Sequence, residues 1–265
     1  MGFVAFFGHF LVGTGPLLAL YAFFVARKSF VVLLTLASSF FWLTVLLFIS
    51  VLFRGFTPLP DKAGDHIAAL LGAVVIEQLA RVLLYRIHQT TVASLSDVAL
   101  KSGRTLSPSD ILYIAAGFGF GQGVSHSLFF FVSLLPLIAT DATIYIDSCD
   151  EMSYFLVSAL TTLGFSLLHT CSTVVFFNGL AERRGLRIGG PPAMHLTASL
   201  ITVGNFGSSG CVATVPIVLF IGLISMGWCA YICIEKGTQR PGGSGRAILE
   251  GNQTRSTDRE VDGFS

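Results

Sequence analysis

Two histidines, one glutamate and one arginine stand inside long apolar stretches of this sequence, where an ionisable side chain is costly unless it has a task or a partner. His169 lies in Leu167-Leu-His-Thr170 and His195 in Ala193-Met-His-Leu-Thr197, while Glu77 and Arg81 are one helical turn apart. A pair of imidazoles can organise hydrogen bonds, line a polar cavity that receives a partner, hold a metal or pass a proton. Zinc needs three or four ligands, and no further His, Cys or carboxylate is obviously placed to complete a set. Glu77 and Arg81 read as an i,i+4 pair in which each neutralises the other. His126, between Ser125 and Ser127, reads as a locally satisfied donor.

A nucleophile is the next chemistry to test. Gly207-Ser-Ser-Gly210 has the Gly-x-Ser-Gly form of rhomboid serine proteases, with Ser209 in the nucleophile's place. A base must come within about 3 Å of that hydroxyl, and His195 is about 14 residues away, roughly 20 Å along a helix. The motif therefore reads as a turn. An aspartyl site needs two carboxylates sharing a proton within the membrane, and no pair of Asp residues lies inside the apolar stretches. The expectation is a chain with no catalytic residue, no metal and no cofactor.

The elements that carry these groups are seven apolar stretches, at roughly 3–25, 31–53, 67–87, 111–138, 152–177, 193–206 and 211–234. With 53% hydrophobic and 12% charged residues, the composition excludes a soluble domain. Most stretches reach the roughly 20 residues a helix needs to cross the hydrocarbon, and the sixth is short and flanked by glycine. A bilayer leaves backbone groups no water to bond with, so the fold class is all-α, a polytopic membrane protein with seven transmembrane helices. The first stretch is too long and too lightly charged in front for a cleaved signal, so it is expected to remain as a helix.

Of the 16 Lys and Arg residues, all but Arg54, Lys62 and Arg81 fall on one side of that arrangement. Retention of positive charge in the cytosol then gives a luminal amino terminus and a cytosolic carboxyl terminus. The acidic residues Asp141, Asp147, Asp150 and Glu151 fall on the luminal side. Residues 1–236 form the transmembrane domain, and 237–265 a Gly-, Ser- and Arg-rich flexible cytosolic tail. Its Asn252-Gln253-Thr254 has the form of a glycan acceptor on the side where none is added. A net charge of +1 gives no indication of nucleic-acid binding, and membrane lipid is the expected surroundings. Counted from the cytosolic ends, His169 and His195 both fall in the cytosolic half of the membrane. Antiparallel neighbours could bring their rings together or bridge them by water.

The fourth stretch carries two interleaved small-residue rows, Gly119, Gly123 and Ser127, and Gly117, Gly121 and Ser125. Residues four apart share a helix face, so each row is a groove that another backbone can approach. The pattern does not say whether that neighbour belongs to this chain or to a partner. Cys149 and Cys211 both fall on the luminal side, where oxidation is permitted, so a bridge and two free thiols are both open. Cys171, Cys229 and Cys233 read as packing residues.

Together these residues resemble the APH-1 family, the anterior-pharynx-defective subunit of the gamma-secretase complex, over roughly residues 2–236. The resemblance rests on Gly15-Pro16, Phe40-Phe-Trp-Leu43, the Gly119 row, Leu168-His169-Thr170 and His195-Leu-Thr197. Gly121-Gln-Gly-Val-Ser-His-Ser-Leu-Phe-Phe130, with Cys149 and Gly210-Cys211, is similar to plant members. The resemblance implies seven crossings and a noncatalytic scaffold that stabilises presenilin, binds nicastrin and accompanies PEN-2 in an intramembrane aspartyl protease. That protease cleaves type I membrane proteins. It implies residence in the endoplasmic reticulum and Golgi, with the mature complex at endosomal or plasma membranes. Gly119 and Gly123 match glycines needed for assembly, and His169 and His195 match intramembrane histidines linked to presenilin association and activity. Ser127 replaces the third glycine of the animal pattern, and Glu77-Gln78 reverses the usual order before Arg81. A seven-helix receptor and a small-solute transporter remain as alternatives.

Overall fold

The computed structural model of the chain describes residues 3–56, 63–139, 149 and 151–238. Among them it is helical and without strands: α1 (Phe3–Leu20, continued by a π turn Tyr21–Val25), α2 (Ser29–Phe56), α3 (Ala63–Lys101), α4 (Pro108–Phe130), α5 (Tyr154–Glu182), α6 (Gly185–Thr202) and α7 (Gly210–Gly237). Short 3-10 runs follow α4 and α6, at Val132–Ala139 and Val203–Phe206. Six helices are long and apolar enough to cross a membrane by length and composition, and α6 is not one of them. Asp141, Asp147 and Asp150, expected on the luminal side, and the tail from 239 onward lie outside the described residues.

Local chemistry sets the ends. Ser107 accepts from the Asp110 backbone N–H at 3.2 Å while the Asp110 carboxylate accepts from Ser107 N–H at 3.1 Å, with Pro108 just inside α4. This reciprocal cap satisfies donors that a helix start leaves open. Lys28 donates to the same carboxylate at 2.9 Å, which ties the turn before α2 to the start of α4. Ser153 caps α5, and Arg183 ends it in the left-handed region at φ 54°.

Three boundaries differ from the sequence reading. The third helix was expected over 67–87 but runs 39 residues, about 58 Å against a hydrocarbon layer of about 30 Å. No Gly or Pro interrupts it between Gly72 and Gly103, and polar residues such as Thr90 and Thr91 fold their hydroxyls back onto backbone carbonyls, so it outlasts its apolar segment. The fourth stretch breaks into α4 and a 3-10 run that contains Pro136. The sixth helix begins at Gly185 rather than near 193, because Arg187 and Gly189-Gly-Pro-Pro192 are helical despite their polarity and glycine content.

α5 is the central post. Of its most apolar window 83% is buried, against 22% for α3 and α7, whose remaining faces are apolar and suited to lipid. The two small-residue rows of α4 explain how neighbours come so close. A Cβ added at Gly121 would stand 2.6 Å from the Thr35 carbonyl oxygen of α2. At Gly123 it would stand 2.8 Å from the Ser166 carbonyl oxygen of α5, and at Gly119 it would run into the Thr170 carbonyl. Hydroxyls then stitch the seams: Ser38 donates to Phe118 O at 2.6 Å, Ser125 to Ser39 O at 2.6 Å and Ser166 to Gly123 O at 3.2 Å. Both rows therefore face helices of this chain.

Candidate functional site

The polar groups that the sequence places on separate helices meet at one point. α3 contributes Glu77, Gln78 and Arg81, which share a face because residues three and four apart are neighbours on a helix. α5 contributes His169, α6 His195, α4 His126 and α2 Trp42. Arg81 and His169 are fully buried, with His195 and Glu77 only slightly accessible. The His169 and His195 rings stand 4.7 Å apart between centroids, and His126 lies 4.9 Å from His169.

Arg81 is the hub. Its Nη1 donates to Gln78 Oε1 at 2.8 Å, and its Nη2 lies 3.2 Å from His169 Nδ1. Gln78 Nε2 in turn lies 3.0 Å from His195 Nδ1. Trp42 closes the site from α2, its ring 5.9 Å from the guanidinium carbon, within cation–π range, and 5.6 Å from the His169 ring. The far nitrogens of the two imidazoles point the other way: Glu77 Oε2 is 3.9 Å from His169 Nε2 and 3.5 Å from His195 Nε2. Glu77 Oε2, His169 Nε2 and Arg81 Nε have no hydrogen-bond partner among the described residues.

This geometry revises three expectations. Arg81 hydrogen-bonds Gln78 and His169 instead of pairing directly with Glu77, because the guanidinium reaches along α3 and across to α5. His126 makes no bond with its serine neighbours: Ser125 donates to α2, and the imidazole packs between Phe130 and Phe165. A carboxylate also stands where none was foreseen beside the two histidines, since Glu77 and both rings offer atoms within 4.8 Å of one another. Gln78 and Trp42 were not foreseen as site residues. Gln78 was legible only as the neighbour in the reversed Glu77-Gln78 order, and Trp42 only as part of Phe40-Phe-Trp-Leu43.

A second polar cluster lies where the end of α5, the start of α6 and the end of α7 converge on Arg187. Arg187 donates to Asn178 Oδ1 at 2.5 Å, to Glu182 Oε2 at 2.9 Å and to Glu235 Oε2 at 2.5 Å. Lys236 also pairs with Glu182. From sequence Arg187 and Lys236 read only as topology signals; the acidic Glu182 and Glu235 so close to them were the available sign of a network.

At the opposite end Cys149 and Cys211 form a disulfide with their Cα atoms 6.1 Å apart, packed against Val157 and Val215. The Gly207-Ser-Ser-Gly210 segment is a turn, with Gly210 N–H donating to Gly207 O at 3.0 Å and Ser209 at φ 54°. The Ser209 hydroxyl donates to Glu151, and that hydrogen bond holds the carboxyl below its ordinary range. Ser209 is thus engaged with a surface carboxylate rather than a histidine, and no aspartate is buried among the described residues.

The profile of a family described as Aph-1 protein matches residues 4–236. The chain is 34% identical over 224 residues to a gamma-secretase subunit APH1-like protein of Arabidopsis thaliana, covering 84% of this chain and 90% of that protein. It is 32% identical over 200 residues to gamma-secretase subunit Aph-1 of Drosophila melanogaster, covering 76% and 81%. To gamma-secretase subunit APH-1B of Homo sapiens it is 31% identical over 211 residues, covering 77% and 79%.

Proposed function

The chain belongs to the APH-1 family, and from that premise we propose that it is a noncatalytic scaffold subunit of a gamma-secretase complex. The match across 4–236 carries the reading, since it takes in nearly all of the helical bundle. The bundle itself supports it. An intramembrane aspartyl protease needs two carboxylates that share a proton, and the described part of this chain buries no aspartate. The presenilin partner supplies both. What this chain offers is a set of helices locked together by glycine contacts and hydroxyl bonds, and a rigid neighbour can hold catalytic helices in register without touching the scissile bond.

In this reading the chain crosses the membrane seven times, α6 included, with its amino terminus in the lumen and its basic end in the cytosol. Presenilin, nicastrin and PEN-2 are its partners, and the substrates are type I membrane proteins. The complex assembles in the endoplasmic reticulum and Golgi and works at endosomal or plasma membranes. His169 and His195 support presenilin association by keeping the α3, α5 and α6 faces in fixed relation. Gly119 and Gly123 act on assembly through the fold, because the grooves they line hold α5 of the same chain.

Affinity purification of the tagged full chain from its own membranes, followed by identification of bound membrane proteins, tests the reading. Recovery of presenilin, nicastrin and PEN-2 in constant proportion is expected. Recovery of the chain without a presenilin, or solute uptake by vesicles that contain this chain alone, would overturn it.

A further inference from the structure

We propose that the outward face of α3 around Arg86 binds one anionic phospholipid, the guanidinium taking the phosphate and the hydroxyl-lined turns beyond it holding a headgroup that carries hydrogen-bond donors. The proposal rests on the reading above only in placing this part of α3 at the cytosolic surface of a membrane.

Steps of three and four return to the same side of a helix, so Leu79, Val82 and Leu83 share one face of α3 with Arg86, and that face continues through Thr90 to Ser94. Leu84 and His88 are buried on the opposite face, which turns this one outward. Its chemistry changes once along its length. Leu79, Val82 and Leu83 are exposed and apolar, as contact with acyl chains requires, whereas Thr90, Thr91 and Ser94 present hydroxyls. Arg86 stands at the change, the depth at which headgroups lie and long basic side chains settle. There the surface is indented, in a groove of about 490 Å³ lined by Arg86, Ile87, Thr90, Thr91, Ser94 and Leu95.

Other basic residues at this end of the bundle are neutralised within the chain. Lys28 pairs with Asp110, Lys101 with Asp97, and Arg184, Arg187 and Lys236 with Glu182. Arg86 has no carboxylate partner among the described residues, and α3 carries no Asp or Glu between Glu77 and Asp97. An anion from outside the chain fits the open guanidinium, whose planar fork matches a phosphate with two parallel N–H bonds. The apolar residues decide which anion. They lie on the membrane side of Arg86, as the tails of a lipid lie on the membrane side of its phosphate, and a free phosphate would leave them unused. The threonines then narrow the headgroup. Thr90 donates to Arg86 O at 3.2 Å and Thr91 to Ile87 O at 2.9 Å, so each hydroxyl oxygen has only lone pairs left to offer. They sit one turn, roughly 6 Å, beyond Arg86. A matching headgroup has O–H or N–H donors past its phosphate, as inositol and serine do. Choline has none, and phosphatidic acid ends at the phosphate.

The test uses the full chain in its complex, purified through presenilin and held in phosphatidylcholine nanodiscs, so that a failure of the scaffold reading shows at purification, before any probe is added. Phosphatidylinositol with a photoreactive group near the start of one acyl chain is cross-linked, and the labelled peptide is mapped. The probe enters both leaflets, so the result does not depend on orientation. Labelling is expected between Leu79 and Thr91, and Arg86→Gln should lower it about tenfold, the scale of losing a charge-assisted hydrogen-bonded pair. Arg86→Lys should restore part of it, and Arg104→Gln, which removes an equal charge from the turn after α3, should leave it unchanged. Thr90→Val with Thr91→Val should abolish the advantage of phosphatidylinositol over phosphatidic acid carrying the same photoreactive group. Equal labelling by a phosphatidylcholine probe, an unlabelled α3, a cross-link of this face to a partner subunit, displacement by inorganic phosphate, an unchanged Arg86→Gln, an equal loss in Arg104→Gln or an unchanged preference in the threonine variant would each overturn the proposal.

Discussion

Arg187 and Arg81 are both almost wholly buried, and they end in opposite circumstances. Arg187 meets two carboxylates and an amide at 2.5–2.9 Å, charge against charge, at the end of the bundle where α5, α6 and α7 converge. Arg81 meets an amide, a neutral imidazole and the face of Trp42, and its carboxylate neighbour Glu77 keeps an oxygen free of hydrogen bonds among the described residues. The first is a fastening. Its charges are paired with one another several times over, and nothing about the cluster asks for a further component. The second leaves buried polar atoms of Glu77, Arg81 and His169 without hydrogen-bond partners among the described residues, so its polar groups are only partly satisfied from within.

If the comparison is right, the two clusters respond to mutation in different currencies. The largest effect on stability is expected for Arg187→Ala, which removes three charge-assisted hydrogen bonds, leaves Glu182 to Arg184 and Lys236 and Glu235 to Arg184, and should cost roughly 2–4 kcal/mol. Thermal unfolding of the purified complex would register it, while cleavage per folded complex stays near wild type. Loss of cleavage with no loss of stability would break the comparison from this side.

His169→Ala comes next. It removes the acceptor of an Arg81 N–H and one of the donors facing Glu77, and a buried group left unsatisfied costs about 1–3 kcal/mol. Here the expected signature is reduced presenilin association or reduced cleavage per folded complex, beyond what the stability change explains. Gly119→Ala sharpens the contrast with a purely steric lesion: its Cβ would meet the Thr170 backbone carbonyl, close to His169 on α5, at a cost of about 1–3 kcal/mol. Assembly should fall in step with stability for this variant, as measured by complex yield against unfolding temperature. The smallest effect belongs to Lys236→Ala, which removes one of several cations around Glu182 and should cost less than about 1 kcal/mol.

The sequence carried the helices better than their neighbours. Apolar length located seven helices because the bilayer demands it, but it could not see that α3 continues past its apolar segment or that α6 starts eight residues earlier, at Gly185, since helices outside hydrocarbon need no apolar run. The glycine rows announced close packing, yet only coordinates could say that α2 and α5 of the same chain fill the grooves. His169 and His195 stood out as costly groups in an apolar setting. Gln78 did not, because an amide beside a glutamate carries no signal of its own until Arg81 is seen to orient it. Arg187 was hidden for a different reason: a basic residue near a helix end already has a sufficient explanation in topology.

The most direct test of the central claim is reconstitution of the complex with His169→Ala and, separately, His195→Ala chains, each assayed for subunit assembly and for cleavage of a type I membrane substrate. The account expects a deficit in one or both assays, and no cleavage by the isolated wild-type chain. Normal assembly and normal cleavage in both variants would contradict the organising role of the cluster, and cleavage by the isolated chain that is lost in the variants would contradict the noncatalytic assignment.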